Sequence, residues 1–407
     1  MAKPPATTYP LSRLRRLALE RQGLLKKAPF GRGIGATLKA IEHIGYVQID
    51  TISVVARAHH HVLRSRVPNY EPAHLDRLIK QRKVFEYWYH AAAYLPMRDY
   101  AHARIRMQAM RKGEERWVRS RDTRLMKRVL DQIRAEGPVR SRDFESDPPP
   151  GADPGWWNWN PTKRALEQLF MQGDLMVSGR EGFQKTYDLT EHCLPSDIPT
   201  TTPSISDHAA YLVDTTLRAN GFATLKSFTH LRKGPTIRAA VKIYLDQLMD
   251  EGQVITLKTA DGASWFGYAE MLDTRAAQAP ASVRILSPFD NALILRHRGV
   301  SIFDFDYQIE CYVKAENRRF GYFCLPITYR DRFVGRVDAK AHRERGELEL
   351  KGVFIEHAVD AGFADAFAEA IGDFAHFNGC EQVTLTKVSP GRYRTAIEQA
   401  LMLSRTH

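Results

Sequence analysis

At 407 residues the chain is too long for a single core and is expected to divide into two to four modules. Its 59 basic against 47 acidic residues leave a net charge of +12, with clustered arginines, which favours a polyanionic partner such as nucleic acid; an anionic membrane surface and simple solubility are the other readings of bulk charge. No apolar run reaches the roughly 18 residues of a spanning helix, and residues 1–10 lack the apolar centre of a signal peptide, so a cytoplasmic protein without a membrane role is expected.

Helical text runs from Leu11 to Leu25. Leu11, Leu14, Leu17, Leu24 and Leu25 fit one buried stripe, leaving Arg13, Arg15, Arg16 and Arg21 for solvent or phosphate. Next comes Leu38-x-x-Ile41-x-x-x-Gly45-x-Val47-x-Ile49, a helical period that stops at glycine and switches to period two. On such a strand Val47 and Ile49 point to one side, and Gln48 and Asp50 share the other. An amide and a carboxylate at that spacing can hold one water or a sugar between them. The text that follows reads as a long basic wing carrying Arg57, His59, His61, Arg64 and Arg66. Because consecutive strand residues face opposite ways, His59-His60-His61 are expected to make polar contacts and not to bind a metal.

The aromatic run Phe85-Glu86-Tyr87-Trp88-Tyr89-His90 reads as core, ahead of an arginine-rich helical stretch. The switch then recurs at Leu166-x-x-Leu169-x-x-x-Gly173-x-Leu175-x-Val177 and at Leu245-x-x-Leu248-x-x-x-Gly252-x-Val254-x-Thr256. Each of these copies is preceded by a helical stretch, 124–136 or 205–220, and followed by a turn and a returning strand, 183–189 or 264–269. Helix, connector, helix, strand, turn, strand is the order of a winged helix-turn-helix. Between the first and second copies, residues 147–155 form a proline-rich loop, with Trp156, Trp157 and Trp159 expected to anchor its base.

Beyond residue 276, strand-like runs at 283–286, 307–313, 320–327, 333–339 and 347–355 precede a helical pattern over 359–376, which predicts a β-barrel-like domain. Within it Asp290, Arg332 and Asp338 either pair locally or face a ligand. The expected class is α+β: three tandem winged helices over 1–120, 121–195 and 196–275, then a barrel-like domain over 276–407 with a C-terminal helix. Cys193, Cys311, Cys324 and Cys380 stand far apart, without Cys-x-x-Cys or His-Glu-x-x-His, so reduced thiols and no metal site are expected.

Taken together, Arg21-Gln22-Gly23-Leu24, Val47-Gln48-Ile49-Asp50-Thr51-Ile52, Phe85-Glu86-Tyr87-Trp88 and Ser287-Pro288-Phe289-Asp290-Asn291 resemble the AlkZ/YcaQ (AlkX) group of bacterial DNA glycosylases over nearly the whole chain. The resemblance implies tandem winged helices with a C-terminal barrel, and a catalytic Gln-x-Gln or Gln-x-Asp motif. The Gln-x-Asp form is that of the YcaQ branch, associated with unhooking interstrand crosslinks and removing N7-alkylated purines. It makes Gln48 and Asp50 the expected catalytic pair, with Arg57, His59, His61, Arg64 and Arg66 as DNA contacts. The expected partner is double-stranded DNA carrying alkylated or crosslinked purines, bound by a monomer without cofactor or metal. An N7-alkylated guanine is cationic and leaves readily, so a carboxylate that opposes charge building on the deoxyribose answers the main chemical need. The competing reading is a non-catalytic winged-helix regulator, which would share the salt-sensitive DNA binding but not the bond cleavage.

Overall fold

The switch from helix to strand occurs at its glycine in all three copies. The structure, a computed structural model, describes residues 8–115, 122–144, 161–232, 234–259, 261–275 and 277–404. Helices Gly33–Ile44, Pro161–Gln172 and Pro235–Asp250 run into Gly45, Gly173 and Gly252, with φ of +83°, +79° and +72°. Glycine takes this left-handed geometry without a Cβ penalty, which lets the chain leave the helix and extend. The segment 147–155 and Trp156, Trp157 and Trp159 lie outside the described residues. No described helix is long and apolar enough to cross a membrane.

The chain forms two compact units, residues 1–70 with 209–407, and residues 71–208. The division at Tyr70 falls inside the segment 1–120, and the first and third repeat copies share a unit. In the smaller unit, Val84–Trp88 pairs antiparallel with Ala92–Pro96, and Phe85 and Tyr87 are core residues, as the aromatic run predicts. Glu86, buried on the same hairpin, is held by Arg180 through two bonds of 2.9 Å. The second copy makes a three-stranded sheet in which Gln184–Leu189 lies between Val139–Arg140 and Leu175–Glu181.

In the larger unit the third copy repeats that plan, with Ser264–Tyr268 between Phe222–Ala223 and Val254–Lys258. The N-terminal helix α1 (Leu11–Arg21) buries Leu14, Leu17, Ala18 and Leu19. Arg15, expected to face outward, is buried and donates from Nε to the carbonyl of Ile302 at 2.7 Å. The helix Gly33–Ile44 is α2, and the strand after it, β1, is only Val47–Gln48. A helix, α3 (Ala58–Arg64), follows where the sequence suggested a wing.

The C-terminal part is a six-stranded sheet in the order Val283–Ile285, Cys324–Tyr329, Arg332–His342, Glu347–Ile355 and Gln382–Leu385, with Val388–Ser389 also on Glu347–Ile355. Register shifts at Ile327/Thr328 and Asp338/Ala339 mark irregularities that bend strands and raise their twist, so the sheet curls. Phe363, Phe367, Ile371 and Phe374 of the helix Phe363–Phe377 complete the core against it. The result is a curled half-barrel where the sequence predicts a barrel-like domain. Residues 307–313, expected as a strand, form a loop, because the Glu310 carboxylate collects the backbone N–H groups of Arg319, Phe320 and Gly321 at 3.0, 2.8 and 3.0 Å. Local side-chain acceptors of this kind compete with a sheet ladder for the backbone. Asp338 is paired inside this domain, accepting from the Phe323 N–H at 3.4 Å, while Arg332 is exposed beside the Tyr329–Arg332 turn.

Candidate active site

Val47 and Ile49 enter the core as alternation predicts, at 0% and 8% exposure, but Gln48 is buried too, at 9%. The strand ends at Gln48, so period two lapses before Asp50 and the two polar side chains do not share one open strand face. Asp50 is half-buried, and its Oδ1 accepts the N–H of Ile52 at 2.7 Å, an Asx turn that swings the chain off the strand. Loss of solvent raises the Asp50 carboxyl above the ordinary aspartate range, against the opposing pull of the Ile52 N–H. Burial raises the Cys311 thiol and the Tyr312 phenol, and the Asp50 charge acts on both in the same sense.

The backbone around Asp50 is tied on both sides. Upstream, the Asn291 side-chain amide donates to the carbonyl of Tyr46 at 3.0 Å. Downstream, the Val54 carbonyl accepts from Ala341 N at 2.9 Å, the Ala56 N–H donates to Asn378 Oδ1 at 2.6 Å, and Val55 is buried in the half-barrel core. A carboxylate set between such fixed points keeps its position without reorganising.

The residues expected on a basic wing separate into two groups. Arg57, at the start of α3, and Arg64, near its end and 5.8 Å over the Phe377 ring, are partly exposed. His59 and His61 are each 2% exposed, and His61 Nε2 meets the Ile285 carbonyl at 2.8 Å. Burial pushes the His61 imidazole down to about 4, and burial together with the nearby Arg57 charge does the same for His60, which meets the Tyr70 hydroxyl at 2.7 Å. His60 and His61 are therefore neutral, and His59 and His61 lie buried on a helix where the sequence predicts exposed DNA contacts.

Arg66 is the larger correction: it is 0% exposed and cannot reach a phosphate. Its guanidinium forks onto the Asp290 carboxylate at 2.8 and 2.9 Å. The remaining donors go to the Gln22 carbonyl at 2.8 Å, the Val62 carbonyl at 3.0 Å and Gln22 Oε1 at 3.0 Å. All five guanidinium N–H groups are thereby used. Asp290 also caps the short helix Asn291–Ile294 through the Ala292 N–H at 2.9 Å. The Gln22-Gly23-Leu24 and Ser287–Asn291 motifs are thus joined at one buried ion pair, whose neighbour Asn291 holds the strand bearing Gln48. Sequence reading missed this pairing, and no local spacing signals it, since Arg66 and Asp290 stand 224 residues apart.

Among the described residues no cluster of three or more His, Cys, Asp or Glu side chains stands together. The four cysteines are free thiols. The structure resembles that of the Streptomyces sahachiroi DNA glycosylase AlkZ, with a TM-score of 0.60 over 94% of this chain and 100% of that one, at 15% sequence identity. A profile described as DNA glycosylase AlkZ-like matches residues 41–377, which contain Gln48, Asp50, Arg66 and Asp290. The chain belongs to the AlkZ-like DNA glycosylase family.

Proposed function

We propose that the chain hydrolyses the N-glycosidic bond of N7-alkylated purines in double-stranded DNA, including the unhooking of interstrand crosslinks made through them, with Asp50 as the catalytic carboxylate and Gln48 as its partner. The observation that carries this reading is the position of Asp50: half-desolvated, held by one backbone N–H, and fixed by ties at Tyr46, Val54 and Ala56. Preorganised negative charge in a partly dry site stabilises the positive charge that builds on the deoxyribose as the base departs. A carboxyl raised above its ordinary value is also the better base toward an attacking water. Gln48 offers a donor and an acceptor to hold that water or the sugar.

In this reading the enzyme is monofunctional, because no lysine adjoins Gln48 or Asp50 in sequence to form a Schiff base, and it acts as a cytoplasmic monomer without cofactor. The three helix-to-strand copies serve as winged-helix modules on the duplex, and Arg57 and Arg64 supply charge to phosphate. An open site suits a crosslinked base, which stays tethered to the opposite strand and cannot swing freely into a closed pocket. The test is incubation with a duplex carrying a single N7-methylguanine and with one carrying a defined N7-guanine crosslink. Heat-labile abasic sites in the first and released single strands in the second are expected. Binding without either product would favour the regulator.

A further inference from the structure

Two tyrosine rings stand in solvent on the loop next to Asp50. Tyr312 is 79% exposed and Tyr322 40%, although rings of this size contribute most when buried. The loop that carries them is not loose. Glu310 gathers the N–H groups of residues 319–321, and Arg318 Nε donates to the carbonyls of Glu310 and Val313 at 3.3 and 2.9 Å. The Arg318 guanidinium then lies 5.0 Å over the Tyr322 ring. At the loop's base the Tyr307 hydroxyl donates to the Cys324 carbonyl at 2.6 Å, and the Phe320 ring packs 5.3 Å from Phe354. Gly321 closes the turn at φ +150° against Asp338, where a Cβ would meet Oδ2 at 2.0 Å.

Ile52, two residues beyond Asp50, and Ile309, three before Tyr312, pack against the same half-barrel core. Val54, four residues beyond Asp50, accepts from Ala341 N, and Phe323, next to Tyr322, donates to Asp338, so the catalytic segment and the loop are anchored three residues apart on the strand Arg332–His342. Fixed, outward-facing aromatics beside a candidate glycosidic carboxylate have little to gain in water, and a surface whose substrate is a stack of bases offers them a partner. Every base has a π-face, so such contact is tolerant of sequence.

We infer that Tyr312 and Tyr322 form an aromatic platform on which a nucleobase adjoining the lesion stacks, holding the damaged strand across Asp50. This rests on the glycosylase reading. Arg318, pinned beneath, adds charge toward the same strand. Tyr312 and Tyr322 are positioning residues that grip the strand and take no part in bond breaking.

The experiment uses the full chain, wild type and with Tyr312→Ala, Tyr322→Ala, Tyr312→Phe and Tyr322→Phe. The probe is an N7-methylguanine duplex with 2-aminopurine next to the lesion, together with a lesion-free copy. Each alanine variant is expected to weaken binding to the lesion duplex roughly 5- to 150-fold, the range of base–aromatic stacking. The quench of 2-aminopurine should disappear, with the single-turnover rate at saturating enzyme changed far less and the melting temperature unchanged. Each phenylalanine variant should restore binding and quench. Alanine variants that bind and quench like wild type would overturn the platform, as would phenylalanine variants as impaired as alanine. A wild type that binds but excises nothing would instead overturn the glycosylase reading, and the quench on both duplexes would then decide the platform alone.

Discussion

Arg66→Met is the sharpest perturbation of the scaffold. It deletes five hydrogen bonds and leaves the Asp290 carboxylate fully buried without its ion-pair partner. Removing one partner of such a pair costs about 3–5 kcal/mol, and at about 2–4 °C per kcal/mol, the scaling for domains of roughly 150–250 residues, the melting temperature should fall by about 6–20 °C. Asp290→Asn should fall in the same sense, because the guanidinium loses its counter-charge. The double variant Arg66→Met with Asp290→Leu should recover much of the loss, since well-packed apolar residues often replace a buried pair at little net cost. About 1 kcal/mol should stay missing for the lost Asp290 cap. Melting curves on wild type, Arg66→Met, Asp290→Leu and the double variant give the coupling directly. If Arg66→Met melts within about 2 °C of wild type, on the same scaling, and instead loses DNA affinity, the buried assignment is wrong. Arg66 would then be the phosphate ligand that its place in a basic run suggests.

Arg57→Glu with Arg64→Glu should weaken duplex binding and reduce the slope of log K against log salt by up to about 2, near 0.9 for each phosphate no longer neutralised; an unchanged slope would remove both from the interface. The single-turnover excision rate should lose about tenfold per pH unit on the acid side, one proton being involved. Because burial raises the Asp50 carboxyl, that limb should lie above the pH of an ordinary exposed aspartate, and a limb at or below it would exclude Asp50 as its source. For stability the sign is opposite to the usual aspartate case: ionised Asp50 costs the folded state stability above its folded pKa, and that cost fades as pH falls through it. Asp50→Asn, which keeps an acceptor for the Ile52 N–H, should therefore melt no lower than wild type at neutral pH. Borohydride added during turnover should trap no covalent protein–DNA species, and trapping at the rate of excision would contradict simple hydrolysis.

The parts of the fold legible in the sequence are those whose cause is local. Gly45, Gly173 and Gly252 end helices because the turn needs a left-handed residue, and the strand that follows is written in the next few residues. The stretch 54–63 is illegible for the opposite reason: Val54, Val55, Val62 and Leu63 suit a strand or a helix, and contacts of His61 with Ile285 and Phe374 of the half-barrel hold α3. The loop 307–322 has the aromatic and β-branched text of a strand, but Glu310 binds its backbone ten residues on. Gln48 and Asp50 were legible as a chemical pair and not as a shared face, since β1 stops between them. The Arg66–Asp290 ion pair had no sequence signal, because only the folded chain brings it together.

The role of the Asp50 carboxylate is tested most directly by single-turnover excision of N7-methylguanine by Asp50→Asn beside a binding isotherm on the same duplex. The amide keeps the size of the side chain and its bond to the Ile52 N–H but loses the charge that opposes the developing cation. Excision should collapse while affinity and melting temperature hold, with Gln48→Ala as the milder reference, losing about 10²-fold at most. Near-wild-type excision by Asp50→Asn would remove Asp50 from the chemistry, and a parallel loss of binding and folding would make it a structural residue.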